Sequence, residues 1–245
     1  MTTDRPAVAV FRPDDERLED AIERLEELGA RPVPDPMLSV EPTGATPEGA
    51  SVVVLTSTTG VSLVEEAGWD PGGATVAAIG PATASALEAA GYPVDVVPAE
   101  YTSSGLVATL EEEVDLAGTS VEVARSDHGS DVLLDGLAAA GADVTETVLY
   151  RLRRPADAGR SVEMAASGDL DAALFTSSLT VVHFLETATD VDRTDEVHEG
   201  LEAAVVGVIG EPTSQTAVEH DVSVDVVASE ATFDALARET LEKLP

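Results

Sequence analysis

The 245-residue chain has no cysteine, which excludes disulfides, thiol nucleophiles and thiolate metal sites. Lysine is almost absent: Lys243 is the single one, and every other basic residue is arginine. A phosphate-transfer site built on a P-loop lysine is therefore disfavoured, and neither GxGxxG nor GxxxxGK[ST] occurs. There are only three tyrosines, so the place of each carries information. No apolar run approaches the roughly 18 residues that would span a bilayer. The opening MTTDRPAVAVF sets an acid, an arginine and a proline where a secretory signal needs an apolar stretch. The expected setting is the cytoplasm, with no membrane partner.

Positive charge is the other scarcity. Against 13 Lys and Arg stand 47 Asp and Glu, a net charge of −34. With no basic face, nucleic acid is not an expected partner. The acids are spread over every expected helix and form no tail, which argues against a local interaction segment. Molar salt shrinks the Debye length to about 3 Å and screens such a charge. The composition reads as that of a halophilic cytoplasmic protein, and it says little about the ligand.

What is present is a globular chain, 44% hydrophobic, long enough for one large domain or two small ones. Its main feature is an internal repeat. VVVLTSTTGV (52–61) matches AALFTSSLTV (172–181), with Thr56 and Thr176 offset by 120. AAIGPATAS (77–85) matches GVIGEPTSQ (207–215), with Thr83 and Thr213 offset by 130, and VVPAEYTSSGL (96–106) matches VVASEATFDAL (226–236). Residues 7–38 resemble 121–150, with Gly29-Ala30 on Gly141-Ala142 at an offset of 112. The chain thus reads A, B, A′, B′. A is strand–helix–strand; B is three strand–helix pairs. Continuous apolar strands such as SVVVL and TVAAI are those of parallel sheets covered on both faces. In DDERLEDAIERLEELG, Leu18, Ile22, Leu25 and Leu28 form one stripe and Gly29 stops the helix. From spacing alone, A could pair with B or with B′.

The motifs, in order, are a first strand ending in Arg-Pro, two strand–Thr-Ser turns, the doubled IGxxT turn, EYTSSGL and the strand VTETVLYRL. Together they resemble the uroporphyrinogen-III synthase family over essentially the whole chain. That resemblance implies an α/β fold of two flavodoxin-like parallel-sheet domains, interleaved in sequence and joined by a two-stranded β-ladder. Residues 1–37 with 158–245 would form one domain and 48–148 the other, with linker strands at 38–47 and 149–157 and the substrate in the cleft between. It also implies the reaction. Hydroxymethylbilane, a linear tetrapyrrole with eight carboxylates, loses its hydroxyl to give an azafulvene. Ring D attacks through its substituted carbon to form a spiro intermediate, and reclosure yields uroporphyrinogen III. The implied enzyme uses no cofactor and no metal, and works by positioning. A monomer is expected. The rival from another class is a non-catalytic two-domain binding protein or sensor for a polycarboxylate.

The candidate residues follow. In AIGPATASAL, Gly80 as N-cap, Pro81 at N1 and Thr83 in the first turn fit a helix start. Thr83 either satisfies a first-turn N–H or, with the free N–H groups there, holds a carboxylate. Thr213 in GEPTSQ faces the same choice, with Glu211 standing where Pro81 does. Thr56 and Ser57, like Thr176, Ser177 and Ser178, follow strand ends where open α/β sheets bind ligands; helix capping is the plainer reading. With no GxSxG, they are assigned to carboxylate binding and not to nucleophilic catalysis. Tyr101 and Ser103 resemble a family loop lining the cleft. Tyr150 ends TETVLY where the family carries a tyrosine, and its hydroxyl is the expected proton donor to the departing hydroxyl; packing of the ladder is the alternative. Arg12 and Arg125 hold equivalent repeat positions and are the preferred anion contacts. His128, with Asp127 and Asp131, has no metal-ligand spacing, and His183, His198 and His220 are scattered.

Overall fold

The computed structural model describes residues 5–244; residues 1–4 and 245, which the first expected domain includes, lie outside them. The chain divides into two compact units, Met1–Ser39 with Arg153–Pro245, and Val40–Leu152.

The first unit carries five strands: β1 (Ala7–Val10), β2 (Arg31–Pro34), β8 (Ala172–Phe175), β9 (Val205–Val208) and β10 (Val226–Val227). Their order is β2-β1-β8-β9-β10, and every pair is parallel. Numbered along the unit this is 2-1-3-4-5, the flavodoxin-like order. β1 (AVAV) and β8 (AALF) are buried at every residue, as small and apolar side chains allow when helices cover both faces. On one face lie α1 (Glu16–Glu27) and α10 (Phe233–Leu241); on the other lie α6 (Arg160–Ala166), α7 (Ser178–Asp190), α8 (Thr194–Ala203) and α9 (Glu211–Glu219). Asp15 caps α1 through the Arg17 N–H, and Leu18, Ala21 and Leu25 form its buried stripe, with Ile22 and Leu28 packed at its margin. Three of the scarce phenylalanines meet in this core: Phe11 stacks on Phe175 at 4.6 Å, and Phe184 stands edge-on to both.

The second unit holds β3 (Ser39–Pro42, which starts at the unit border), β4 (Val52–Leu55), β5 (Thr75–Ala78), β6 (Ser120–Ser126) and β7 (Asp143–Arg153), in the order β3-β7-β6-β4-β5. The β4, β5, β6 and β7 pairings are parallel. Val96 adds one parallel bridge beyond β5. Taken as β6, β7, β4, β5, Val96, these again read 2-1-3-4-5, so this unit is a cyclic permutation of the first. Its sheet is covered by α2 (Thr58–Glu66) and α3 (Pro81–Ala89) on one face and by α4 (Ser103–Glu113) and α5 (Asp131–Ala139) on the other. β3 runs antiparallel to β7: Thr43 N–H donates to Leu149 O, and Ser39 Oγ to Arg153 O. Sheet membership settles the choice that spacing leaves open, because β1 and β2 share a sheet with β8–β10.

Two local expectations are corrected. The third strand of B shrinks to the single Val96 bridge, and its counterpart β10 has two residues. Prolines 93 and 98 flank Val96 and lack the N–H that a longer ladder needs. The jump in offset from 120 to 130 has a structural cause: B′ inserts α8, a 10-residue helix, before β9.

Candidate functional site

In each unit the candidate residues gather at the carboxyl edge of the parallel sheet. In the second unit, Leu55 is level with Ala78 of β5 and Ala124 of β6. Thr56-Ser57 and Gly80 therefore leave the sheet close to Arg125, the penultimate residue of β6. The order reverses between β4 and β6, and that reversal is where such sheets form a crevice.

α3 begins as the motif predicts. Gly80 is the N-cap, contributes no side-chain cap, and Pro81 follows it. Thr83 is 4% exposed, and its hydroxyl makes no hydrogen bond among the described residues. The Tyr101 side chain packs beside Gly80, where an added Cβ would come 3.4 Å from Tyr101 Cβ and 3.5 Å from its Cγ. Tyr101 is itself exposed. Thr102 caps α4 by accepting from Gly105 N–H at 3.0 Å, leaving Ser103 half-buried in the first turn. This edge thus combines an uncapped helix start, a threonine hydroxyl without a described partner and a phenol, and it suits a carboxylate.

Ser57 caps α2: its Oγ accepts from Gly60 N–H at 2.9 Å and from the Tyr150 hydroxyl at 3.1 Å. Tyr150 is buried to 7% exposure within the cluster that includes Leu55, Val61 and Leu149. The register of β6 on β7 slips at Arg125/Ser126, so that Ser126 faces Tyr150. Asp127 N–H then donates to Tyr150 O, and Leu152 N–H to Asp127 Oδ1. Thr56 is half-buried.

Arg125, expected as an anion contact, is drawn inward. It is 4% exposed, with Nε 2.6 Å from Glu146 Oε1, Nη1 2.6 Å from Ser130 O and Nη2 3.5 Å from Asp131. Its side chain leaves no room for a Cβ at Gly129. The guanidinium thereby anchors the loop before α5. His128 Nδ1 pairs with Asp127 Oδ1 at 2.8 Å.

The first unit repeats the arrangement with changes. α9 starts after Gly210 without a side-chain cap, and Thr213 is 3% exposed with a hydroxyl that bonds nothing described. Glu211, at the first helical position, is exposed. Ser177 caps α7 by accepting from Thr180 N–H, and Ser178 Oγ donates to Pro212 O at 3.1 Å, tying the α7 and α9 starts together. Thr176 is half-buried.

Arg12 leaves β1 at the reversal between β1 and β8. Unlike Arg125 it has no carboxylate partner among the described residues, although the chain holds 47 acids. Its Nε is buried without a hydrogen bond among the described residues, and its guanidinium carbon sits 4.9 Å from the centroid of the Phe233 ring. Burial, and then the Arg17 charge, lower its pKa from the usual arginine value, against the opposing pull of Asp15 and Asp20. The two arginines that repeat spacing equates thus do different things: one is spent inside the fold, the other stands unpaired at the edge.

Two features escape the sequence reading. Gly60 owes its place to crowding, since a Cβ there would lie 3.1 Å from both Ser57 Oγ and Leu149 Cδ1. Its companion, the Ser57–Tyr150 bond, joins residues 93 apart. A glycine three residues after a Ser cap is the sole local hint.

Known proteins resemble the chain throughout. The family profile described as uroporphyrinogen-III synthase HemD matches residues 19–238. A protein of Methanothermobacter thermautotrophicus provisionally named uroporphyrinogen-III synthase is 32% identical over 232 residues, covering 88% of this chain and 90% of that one. In fold, the chain is similar to crystal structures of two bacterial proteins. One is a mutant uroporphyrinogen III synthase of Thermus thermophilus (TM-score 0.70, 22% identity, 97% and 99% of the two chains). The other is the uroporphyrinogen-III synthetase of Helicobacter pylori (TM-score 0.64, 15% identity, 97% and 99%).

Proposed function

Because the chain belongs to the uroporphyrinogen-III synthase family, we propose that it closes hydroxymethylbilane to uroporphyrinogen III, inverting ring D and releasing water. One observation carries the site assignment: a mostly buried threonine in the first turn of an uncapped helix, its hydroxyl without a hydrogen-bond partner among the described residues, present twice, as Thr83 and Thr213. Such helix starts favour anions by roughly 0.3–1 kcal/mol each when exposed and up to about 2 when partly buried. Substrate carboxylates are the anions that fit. Thr83, Tyr101, Ser103 and Thr56 serve them on the second unit, and Thr213, Thr176 and Arg12 on the first. Ser177, Ser178 and Arg125 hold the fold. The reading needs no cofactor and no metal, because the bilane carries its own leaving group.

Tyr150 is the proton donor in this reading. Its phenolic proton passes to the hydroxymethyl oxygen, and the C–O bond breaks with its electron pair leaving as water. The pyrrole nitrogen lone pair forms the azafulvenium C=N. The phenolate recovers a proton when the ring later loses one. Such a donor accelerates its step by about 10²–10⁴-fold.

We read the charge of −34 and the single lysine as fitting a monomer in the cytoplasm of a salt-rich cell. Its stability should then climb with KCl into the molar range, where the Debye length is about 3 Å.

The isomer assay tests the reaction. The protein is incubated in high salt with fresh hydroxymethylbilane, the products are oxidised, and uroporphyrins I and III are separated. Type III is the expected product. Type I alone, at the spontaneous rate, overturns the assignment.

A further inference from the structure

We infer that Ser57 is a positioning residue for Tyr150, a second hydroxyl that aims the phenol and meets the charge left on its oxygen. This rests on the reading of Tyr150 as proton donor and deepens it.

Everything about Tyr150 is fixed except its hydroxyl hydrogen. The backbone is held by Asp127 N–H on its carbonyl and by Thr43 N–H on the neighbouring Leu149 carbonyl. The ring is buried in the α2–α3 face core. The hydroxyl has one described partner, Ser57 Oγ at 3.1 Å. Ser57 is fixed as well: it sits in extended backbone (φ −155°, ψ 152°) and accepts from Gly60 N–H.

The hydrogen count gives the pair its chemistry. A serine hydroxyl has one proton and two acceptor sites. In the resting arrangement Gly60 N–H takes one acceptor site and Tyr150 O–H the other. When Tyr150 turns its proton to the leaving hydroxyl, its oxygen loses that proton and gains negative charge. The Ser57 O–H can then rotate to donate to it, while Gly60 N–H still holds the serine oxygen in place. No atom heavier than hydrogen moves. Hydrogen bonds to charged groups are the stronger kind, so this contact gains strength in the transition state and not before.

The molecule contains its own comparison. Ser177, the repeat partner of Ser57, caps α7 in the same way. The repeat partner of Tyr150, at the offset of 112, is Leu38, which has no hydroxyl. Capping alone therefore requires no phenol, and the Ser–Tyr couple belongs to one unit.

A double-mutant cycle on type III formation, run in high salt, tests the inference. Ser57→Ala should lower kcat about tenfold with KM nearly unchanged, and Ser57→Thr should restore it. Ser57→Gly guards against a folding failure, since glycine is a tolerable N-cap that also lacks the hydroxyl. In a Tyr150→Phe background neither Ser57→Ala nor Ser57→Gly should lower kcat by more than about twofold, whereas Ser177→Ala should combine with Tyr150→Phe additively. If Ser57 and Tyr150 losses simply add, the positioning role is overturned while the donor reading survives. A Tyr150→Phe enzyme at full rate overturns both. A wild-type protein that forms no type III product overturns the function itself.

Discussion

Asp35 and Ser161 lie 126 residues apart, and the buried Asp35 carboxylate accepts from Ser161 N–H at 2.7 Å. It also accepts from Ser161 Oγ and from Gly159 N–H. One side chain at the end of β2 thus fixes the start of α6, where Gly159 adopts φ +139°. Asp35→Ala strands those donors and should cost about 2–4 kcal/mol. Chemical denaturation at fixed salt measures this, and a loss below about 0.5 kcal/mol would contradict it.

Thr83→Val and Thr213→Val keep the side-chain shape and delete hydroxyls that bond nothing among the described residues. Stability should barely move, while KM for the bilane rises about 2–10-fold in each variant, the loss of one hydrogen bond. An unchanged KM in both would demote these threonines to packing residues.

Thr240 Oγ1 is buried beneath β9 with no hydrogen-bond partner among the described residues. Thr240→Val should therefore stabilise the protein by about 1 kcal/mol. Gly207→Ala should do the opposite, because its Cβ would fall 2.2 Å from Thr240 Oγ1 and 2.9 Å from Leu236 Cδ1. A cost of about 1–3 kcal/mol is expected, visible as a lower thermal midpoint.

Burial, and then the nearby charges of Glu65 and Asp70, raise the Tyr92 pKa above its usual value. Its hydroxyl donates to Trp69 O at 3.1 Å, which ionisation would break. A raised folded-state pKa means that the unfolded chain releases this proton first. The contribution is complete below about pH 10 and is lost as pH climbs through the folded value. Denaturation monitored by Trp69 fluorescence should show a falling alkaline limb that Tyr92→Phe flattens.

Local features proved the most legible. The doubled IGxxT and Thr-Ser turns could be read because strand ends and helix starts are written within a few residues of one another. Gly80-Pro81 announced α3, and Ser57 and Ser177 were recognisable as cap types. The roles that depend on distant partners were not. Arg12 and Arg125 occupy matching positions, yet Glu146 and the Ser130 carbonyl claim Arg125, while no carboxylate described claims Arg12. Nothing in the spacing distinguishes them. The same holds for Tyr150, whose hydroxyl partner, Ser57, lies 93 residues away.

The cyclic permutation of the second unit bears on synthesis. Val40–Leu152 is one uninterrupted segment, so its sheet can close while the rest of the chain is still being made. β1 has no such freedom: one of its two neighbours, β8, begins at Ala172. At about 5–20 residues per second, β1 emerges many seconds before that partner. The expected order on the ribosome is second unit first. Expressed alone, Val40–Leu152 should fold cooperatively, whereas Met1–Ser39 should remain unstructured until the C-terminal strands arrive.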